Sequence, residues 1–475
     1  MTQSTDQEQT TRTAMWTIGE SAQAIGGQLL GDDLPFEGVT TDSRGDCRGQ
    51  LFIALRGERF DGHDYLADAA ANGAVGAMVE RRVDGRLPQL LVDDTRLGLG
   101  QLAAAWRDRI DARLIAITGS NGKTTVKEMT AAILAQAGPT RATQGNLNND
   151  IGMPLTLLAA RDERYLILEM GANHHGEIGY LTDIARPDVA LITNAGRAHL
   201  EGFGSVEGVA HAKGEIARGL PANGTFVVMA DVPWTPLWEE LAEGRPLLTF
   251  GTGPTAQVRA DEQAITQIWD EKGFRTRFTA SIDGAPLEIG LQLAGAHNVR
   301  NALAAIAGTT ALGIDPVLIR SGLEQLVPVP RRLQPRRTSA NARLIDDSYN
   351  ANPDSLLAAV SVLTAIEAGD GGRHLLVLGD FGELGPDSAA VHREMGANAR
   401  AEGIDALYAV GPLSRHAAEG FGDQGRHFAN QDALIETLLA ETSEQDLLLV
   451  KGSRASAMDR VADALCTHPS RMEGA

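Results

Sequence analysis

Leu114-Ile115-Ala116-Ile117-Thr118-Gly119-Ser120-Asn121-Gly122-Lys123-Thr124-Thr125 is the stretch whose reading decides the fold. It opens on a short apolar run, the pattern of a buried strand. Two glycines then bracket a polar turn, and from Lys123 an alanine-rich segment reads as helix to about residue 136. Strand, glycine loop and helix in that order bring backbone N–H groups and the positive end of a helix to one point, which makes a phosphate site. Lys123 is expected on the β- and γ-phosphates of ATP, and the Thr124 hydroxyl on Mg²⁺. The long P-loop form G-x-x-x-x-G-K-[ST] would need a glycine where this chain has Ile117; Gly119 takes that role, so the loop is short. The competing reading is a plain glycine turn ahead of a helix.

Apolar runs repeat on both sides of this unit. Residues 15–95 alternate short runs such as Leu51-Phe52-Ile53-Ala54-Leu55 with turn residues, as a small α/β domain does. Downstream, 165–170, 189–193 and 225–229 are continuous apolar runs separated by helix-length segments, the signature of a parallel sheet covered on both faces. Over 274–293 the period becomes two around Asp283-Gly284, predicting an antiparallel hairpin appended to the parallel sheet as a small side sheet. Val327-Pro328-Val329-Pro330-Arg331-Arg332 reads as a stiff linker. Beyond it, the runs at 343–347, 374–379, 406–410 and 446–450 predict a second doubly wound α/β unit. No G-x-G-x-x-G follows its first strand, so a dinucleotide cofactor is not expected. The expected architecture is α/β in three domains, 1–95, 96–329 and 330–475, with 1–14 a frayed terminus.

Composition narrows the function. A chain of 475 residues fits two or three domains. Its net charge of −20 disfavours sequence-independent nucleic-acid binding and makes anion binding depend on local loops. Cys47 and Cys466 are far apart, so neither a disulfide framework nor a structural zinc site is suggested. No signal-like opening and no apolar run of about 18 residues appear, and the expectation is a soluble protein of the reducing cytoplasm.

Carboxylates and amides at strand ends are the other candidates. Glu169 closes the run at 165–170, where open α/β sheets carry ligand chemistry; its alternative is a solvated strand end. His199 follows the next strand, and a lone histidine is more often structural. Lys213, read alone, is a solvated helix lysine.

Thr118 to Thr124, Thr143-Gln144-Gly145-Asn146-Leu147-Asn148-Asn149-Asp150, the runs at 169–178 and 199–205, and Asp346-Asp347-Ser348-Tyr349-Asn350-Ala351-Asn352-Pro353 together resemble the Mur ligases of bacterial cell-wall synthesis, over nearly the whole chain. Within that superfamily the resemblance is to the branch that joins D-alanyl-D-alanine to UDP-N-acetylmuramoyl-tripeptide. It implies a UDP-binding N-terminal domain, a central ATPase domain and a Rossmann-like third domain. ATP is implied as co-substrate and Mg²⁺ as cofactor. The implied ATP-binding residues are Gly119, Ser120, Asn121, Gly122, Lys123, Thr124 and Thr125 in the loop, Asn298 and Asn301 beside adenine, and Asp347 and Asn350 near ribose and phosphates. Lys213 is implied to be carbamylated, supporting a second Mg²⁺ with Glu169 and His199; an ammonium there would repel the metal. The family's Pro-Gly-Arg at the third-domain entry is Pro330-Arg331-Arg332 here, so Arg331 and Arg332 are both candidates for the nucleotide contact, with Arg332 in the aligned place. Ser43 and Arg44 are implied at the UDP end, Asn148 and Asn149 at the muramoyl-peptide, and Asp380 and Lys451 in the strand-end loops that could hold a small zwitterion. A monomer whose third domain swings on the linker is the further expectation. The rival readings are a MurE-type amino-acid ligase, folylpolyglutamate synthetase, a P-loop kinase or motor ATPase, and a silent nucleotide-binding module.

Overall fold

The protein was analysed as a computed structural model that describes residues 14–198, 200–230, 232–270 and 273–466. The expected frayed start at 1–14 falls almost wholly outside these, as does His199. In the first unit, five strands order as Gln28–Leu30, Gln89–Leu91, Gly76–Val79, Gln50–Ile53 and Gly38–Thr40. All neighbours are parallel except the first pair. The helix Thr95–Arg107, capped by Asp94, leads from this unit onto the next.

The central sheet has ten strands among the described residues. Its parallel part runs Thr140–Ala142, Tyr165–Glu169, Arg113–Thr118, Val189–Ile192, Thr225–Met229, Leu247–Gly251, Val258–Ala260. Strand periodicity divides its side chains between two cores: Leu114, Ala116, Leu166 and Leu168 pack on one face, Ile115, Ile117, Ile167 and Leu191 on the other. Each such buried branched side chain stabilises by about 1.5–3 kcal/mol, which explains why these strands read as continuous apolar runs.

The hairpin expected around Asp283-Gly284 is Gly273–Ile282 paired with Ala285–Leu291. Both turn residues have positive φ, 49° and 85°, the geometry a two-residue hairpin turn needs. As expected it is appended to the central sheet, because Gly273–Ile282 also pairs antiparallel with Val258–Ala260.

The third unit orders its six strands Gln334–Arg337, Arg343–Asp347, Leu447–Lys451, His374–Leu378, Ala406–Val410, Gly425–Phe428. All neighbours are parallel except the proline-bearing edge pair. No described helix is long and apolar enough to cross a membrane. The carboxyl ends of the central and third parallel sheets face one cleft of about 1300 Å³.

Candidate active site

The glycine loop 119–122 joins Arg113–Thr118 to the helix Lys123–Ala135. Gly119 sits at φ 145°, where a Cβ would come 2.0 Å from the Thr193 hydroxyl. Gly122 is left-handed at φ 78°, and a Cβ there would meet Asn301 Oδ1 at 2.3 Å. Only glycine fits either place. The loop is braced from the neighbouring strand end: Asn121 N–H donates to Asn194 Oδ1 (2.9 Å), while its carbonyl accepts from Thr193 Oγ1 (2.6 Å) and Asn194 Nδ2 (2.9 Å). Ser120 Oγ accepts from Gly196 N–H at 2.9 Å.

Lys123 Nζ bends back over this loop and donates to Gly119 O (2.6 Å) and Ser120 O (3.3 Å). Burial lowers its pKa, with the Arg332 guanidinium pushing the same way and the Glu169 and Glu383 carboxylates opposing. Thr124 Oγ1 donates to Glu169 Oε2 at 3.0 Å, and Asn148 Nδ2 donates to Glu169 Oε1 at 2.8 Å. Buried Glu169 is therefore no solvated strand end. Asn149 also lines the cleft, though its Oδ1 accepts from Gly152 N–H (2.9 Å) at the start of the helix Gly152–Leu158.

Lys213 departs furthest from its reading in isolation. It lies in the helix Val206–Gly214 at 1% exposure, its Nζ has no hydrogen-bond partner among the described residues, and the Phe203 ring centroid is 5.1 Å away. Burial, helped by the charge of Lys123, lowers its pKa to about 7 against the pull of Glu177 and Glu215. A solvated lysine face is ruled out by this placement.

The far wall comes from the third unit. Arg332 Nη2 donates to Thr124 Oγ1 at 3.2 Å, its guanidinium lies 4.3 Å over the Tyr349 ring, and its Nε is buried without a partner among the described residues. Arg331 turns the other way, at φ 62°, pairing with Asp459 and Asp463 of the last helix. The two candidate arginines are thus separated by geometry: Arg332 lines the cleft and Arg331 does not. Asp347 Oδ1 accepts from Leu333 N–H (3.1 Å) and its Oδ2 from Lys451 Nζ, which also donates to Asn350 O at 2.9 Å. Asn298 and Asn301 stack on one helix edge, Asn301 Nδ2 donating to Asn298 Oδ1 at 3.0 Å.

Some expected residues do not converge here. Ser43 and Arg44 belong to the first unit. Arg44 is exposed and forms a fork with Asp42, whose carboxyl these hydrogen bonds hold at about 2. Asp380 lies off the cleft, its Oδ1 accepting from Leu413 and Ser414 N–H at 3.1 and 2.7 Å. Lys451 lines the cleft, but as the buried partner of Asp347. Residues not foreseen carry the contact between the units: Asn352 Nδ2 donates to Asn121 Oδ1 (2.7 Å), and Arg197 donates from N and Nε to the Asp354 carboxylate (2.7 and 3.0 Å). The run 346–353 held part of that signal, but not its partners.

Three family profiles match in order: "Mur ligase family, catalytic domain" at residues 35–107, "Mur ligase middle domain" at 117–309, and "Mur ligase, glutamate ligase domain" at 331–454. The UDP-N-acetylmuramoyl-tripeptide--D-alanyl-D-alanine ligase of Escherichia coli K12 is 45% identical over 94% of this chain and 98% of its own length. The chain belongs to the MurF family. The Bacillus subtilis 168 ligase of the same name is 36% identical over 95% of this chain and 99% of its own. MurF from Acinetobacter baumannii superposes with a TM-score of 0.88 at 38% identity, covering 95% of this chain and 98% of that one. MurF from Thermotoga maritima, solved in complex with ADP, does so at 0.79 and 27%, covering 90% and 96%. These MurF structures share the three-unit architecture described above.

Proposed function

We propose that this chain joins D-alanyl-D-alanine to UDP-N-acetylmuramoyl-tripeptide at the expense of ATP, in peptidoglycan precursor synthesis. The observation that carries the reading is the meeting of Lys123, Thr124 and Glu169 with Arg332 across one cleft. Lys123 and the loop N–H groups hold the terminal phosphates, and Arg332, with a buried donor still to be satisfied, meets the nucleotide from the other wall. Asn298 and Asn301 take the adenine side, and Asp347 and Asn350 the ribose side. Asn148 and Asn149 face the muramoyl-peptide, while Ser43 and Arg44 mark the uridine-diphosphate end.

The residues present fit Mg²⁺. A threonine hydroxyl and a carboxylate 3.0 Å apart are hard oxygen donors, and this ion binds few protein ligands beside phosphate. When bound it neutralises charge on the phosphates. The buried Lys213 amine has no partner among the described residues and a pKa lowered to about 7, which raises the share in the unprotonated form that adds CO₂; as a carbamate it would add a third oxygen donor group.

In the reaction the tripeptide carboxylate takes the terminal phosphoryl group, and the dipeptide amine attacks the resulting acyl phosphate. The C–N bond forms, the C–O bond to phosphate breaks, and inorganic phosphate leaves. Positioning and charge neutralisation carry most of the rate enhancement. We place the domain limits at 1–95, 96–329 and 330–475, with a monomer closing on the linker at 327–332. A phosphate-release assay tests the reading: release requires both the tripeptide nucleotide and D-alanyl-D-alanine, with one amide formed per ATP. Hydrolysis that needs neither would sink it in favour of a motor or kinase.

A further inference from the structure

The helix Lys123–Ala135 sinks Val126, Met129, Ile133 and Leu134 into one of the two cores of the central unit, and Lys127 is buried beside them at 1% exposure. The phosphate chemistry assigned above uses Lys123 and Thr124 of this helix and gives Lys127 no part. An amine taken out of water costs free energy unless its donors are met. Lys127 Nζ donates to Thr143 O at 2.7 Å and lies 2.7 Å from Glu128 Oε1 at the rim of the cleft. The Glu128 side chain is 38% exposed, whereas Thr143 is buried, so the carbonyl is the interior partner.

Thr143 follows Thr140–Ala142, an edge strand of the central sheet whose strand neighbour among the described residues is Tyr165–Glu169. Thr143 N–H donates to Ile167 O at 3.0 Å, one step of the parallel ladder. At the next step a regular ladder would send Glu169 N–H to Thr143 O. Glu169 N–H donates instead to Thr143 Oγ1 at 3.0 Å, and the carbonyl goes to Lys127. The chain then leaves the sheet and folds back, so that Asn148 Nδ2 donates to Glu169 Oε1 at 2.8 Å while Asn148 O accepts from Gly171 N–H at 2.8 Å. A further hold on Glu169 comes from Thr124 Oγ1, one helical turn before Lys127. One helix thus grips the Glu169 carboxylate directly, through Thr124, and its backbone at one remove, through Lys127 and Thr143.

We propose that Lys127 is a positioning residue for the ligation. By taking the Thr143 carbonyl out of the ladder it turns the threonine hydroxyl onto Glu169 N–H and starts the loop that brings Asn148 to the Glu169 side chain. The inference rests on the ligase reading above, in which Glu169 is an oxygen donor for Mg²⁺, and deepens it by naming what aims that donor at the phosphate loop. An apolar side chain of the same length would fill the space without the cost of burying an amine, so packing alone does not account for a lysine. Nor does the pair with Glu128, since an ion pair with so exposed a partner is worth little. What only the amine supplies is a donor for a buried carbonyl at a sheet edge, where no further strand among the described residues receives it.

Lys127→Met keeps the length of the side chain and removes the donor. With both substrates and ATP saturating, it raises the free Mg²⁺ concentration needed for half-maximal ligation at least about tenfold, the scale of losing a group that orients a metal's ligand, and leaves kcat at saturating Mg²⁺ within about threefold. Calorimetry gives a readout apart from turnover: a non-hydrolysable ATP analogue binds this variant more weakly by about the same factor in MgCl₂, and as tightly as before in EDTA. Lys127→Arg, which still carries donors for a carbonyl, brings the Mg²⁺ requirement back to within about threefold of the original. Thr143→Val raises the requirement as Lys127→Met does, and Thr143→Ser leaves it unchanged. The double variant Lys127→Met/Thr143→Val is no worse than either single change, as two members of one relay must be. A lysine that serves packing alone lowers the urea midpoint and leaves the Mg²⁺ requirement where it was; that result, or full additivity in the double variant, overturns the proposal. If Lys127→Met does not fold, Thr143→Val decides, and an unshifted requirement there is equally fatal. Amide formation by the unmodified enzyme is read in parallel. Its absence overturns the ligase reading itself, whereas its presence with unshifted Mg²⁺ requirements in the variants overturns the positioning role alone.

Discussion

The central and third units are built alike, each a parallel sheet with helices on both faces and its carboxyl edge on the cleft, yet they meet it in different ways. The central unit presents a backbone turn with Lys123, Thr124 and Glu169 around it. Gly119 and Gly122 hold strained turns, Asn194 and Thr193 brace Asn121, and the helix start supplies the positive end. The third unit presents side chains, and several of these are spent on one another: Lys451 on Asp347, Asp380 on a turn. A backbone site is carried by local sequence, because the glycines that make it are obligatory. A side-chain site depends on which group each neighbour leaves available.

Three changes would break or sharpen that contrast. The largest effect belongs to the backbone wall. Lys123→Ala lowers kcat/KM by about 10³-fold or more, the scale of losing a group that stabilises transferred phosphate charge, while urea unfolding stays close to the original. Ligation at full rate in that variant would remove the phosphate-loop assignment.

Next comes the side-chain wall. Lys451 is 2% exposed and Asp347 14%, so Lys451→Met strands a mostly buried carboxylate and destabilises by about 3–5 kcal/mol. Urea titration reads this as a lower midpoint. A midpoint unchanged from the original would mean that the pair is not the internal tie it is taken for.

The smallest effect is at the boundary between the walls. Arg331 adopts φ 62° where the family's glycine would sit without strain, and it gains in return half-exposed ion pairs to Asp459 and Asp463. Relief of about 1 kcal/mol of left-handed strain and loss of surface pairs of similar worth nearly cancel in Arg331→Gly. Global stability therefore shifts by less than about 1 kcal/mol, but amide hydrogen exchange over residues 327–332 speeds up. Unchanged exchange would show that the ionic tie does not stiffen the linker.

Much of this was legible in the chain. The strand, glycine loop and helix from 113 to 135, Glu169 at its strand end and the Asp283-Gly284 hairpin all announce themselves, because glycine positions and apolar periods report backbone geometry directly. Partners distant in sequence do not. Nothing local ties Asn121 to Asn352 or Arg197 to Asp354, and the arginines at 331 and 332, both candidates with Arg332 in the aligned place, are told apart only by the φ that turns Arg331 away.

The sequence by itself determined the three-unit order, the family and the strand, glycine loop and helix from 113 to 135, since those follow from patterns within a few residues of one another. Tertiary structure alone decided that Lys213 is buried, with its pKa lowered to about 7, that Arg332 rather than Arg331 looks into the cleft, and that Asp380 lies off it. The physical reason is that a side chain's charge state and direction are set by what packs around it, and that packing joins segments as far apart as residues 121 and 352.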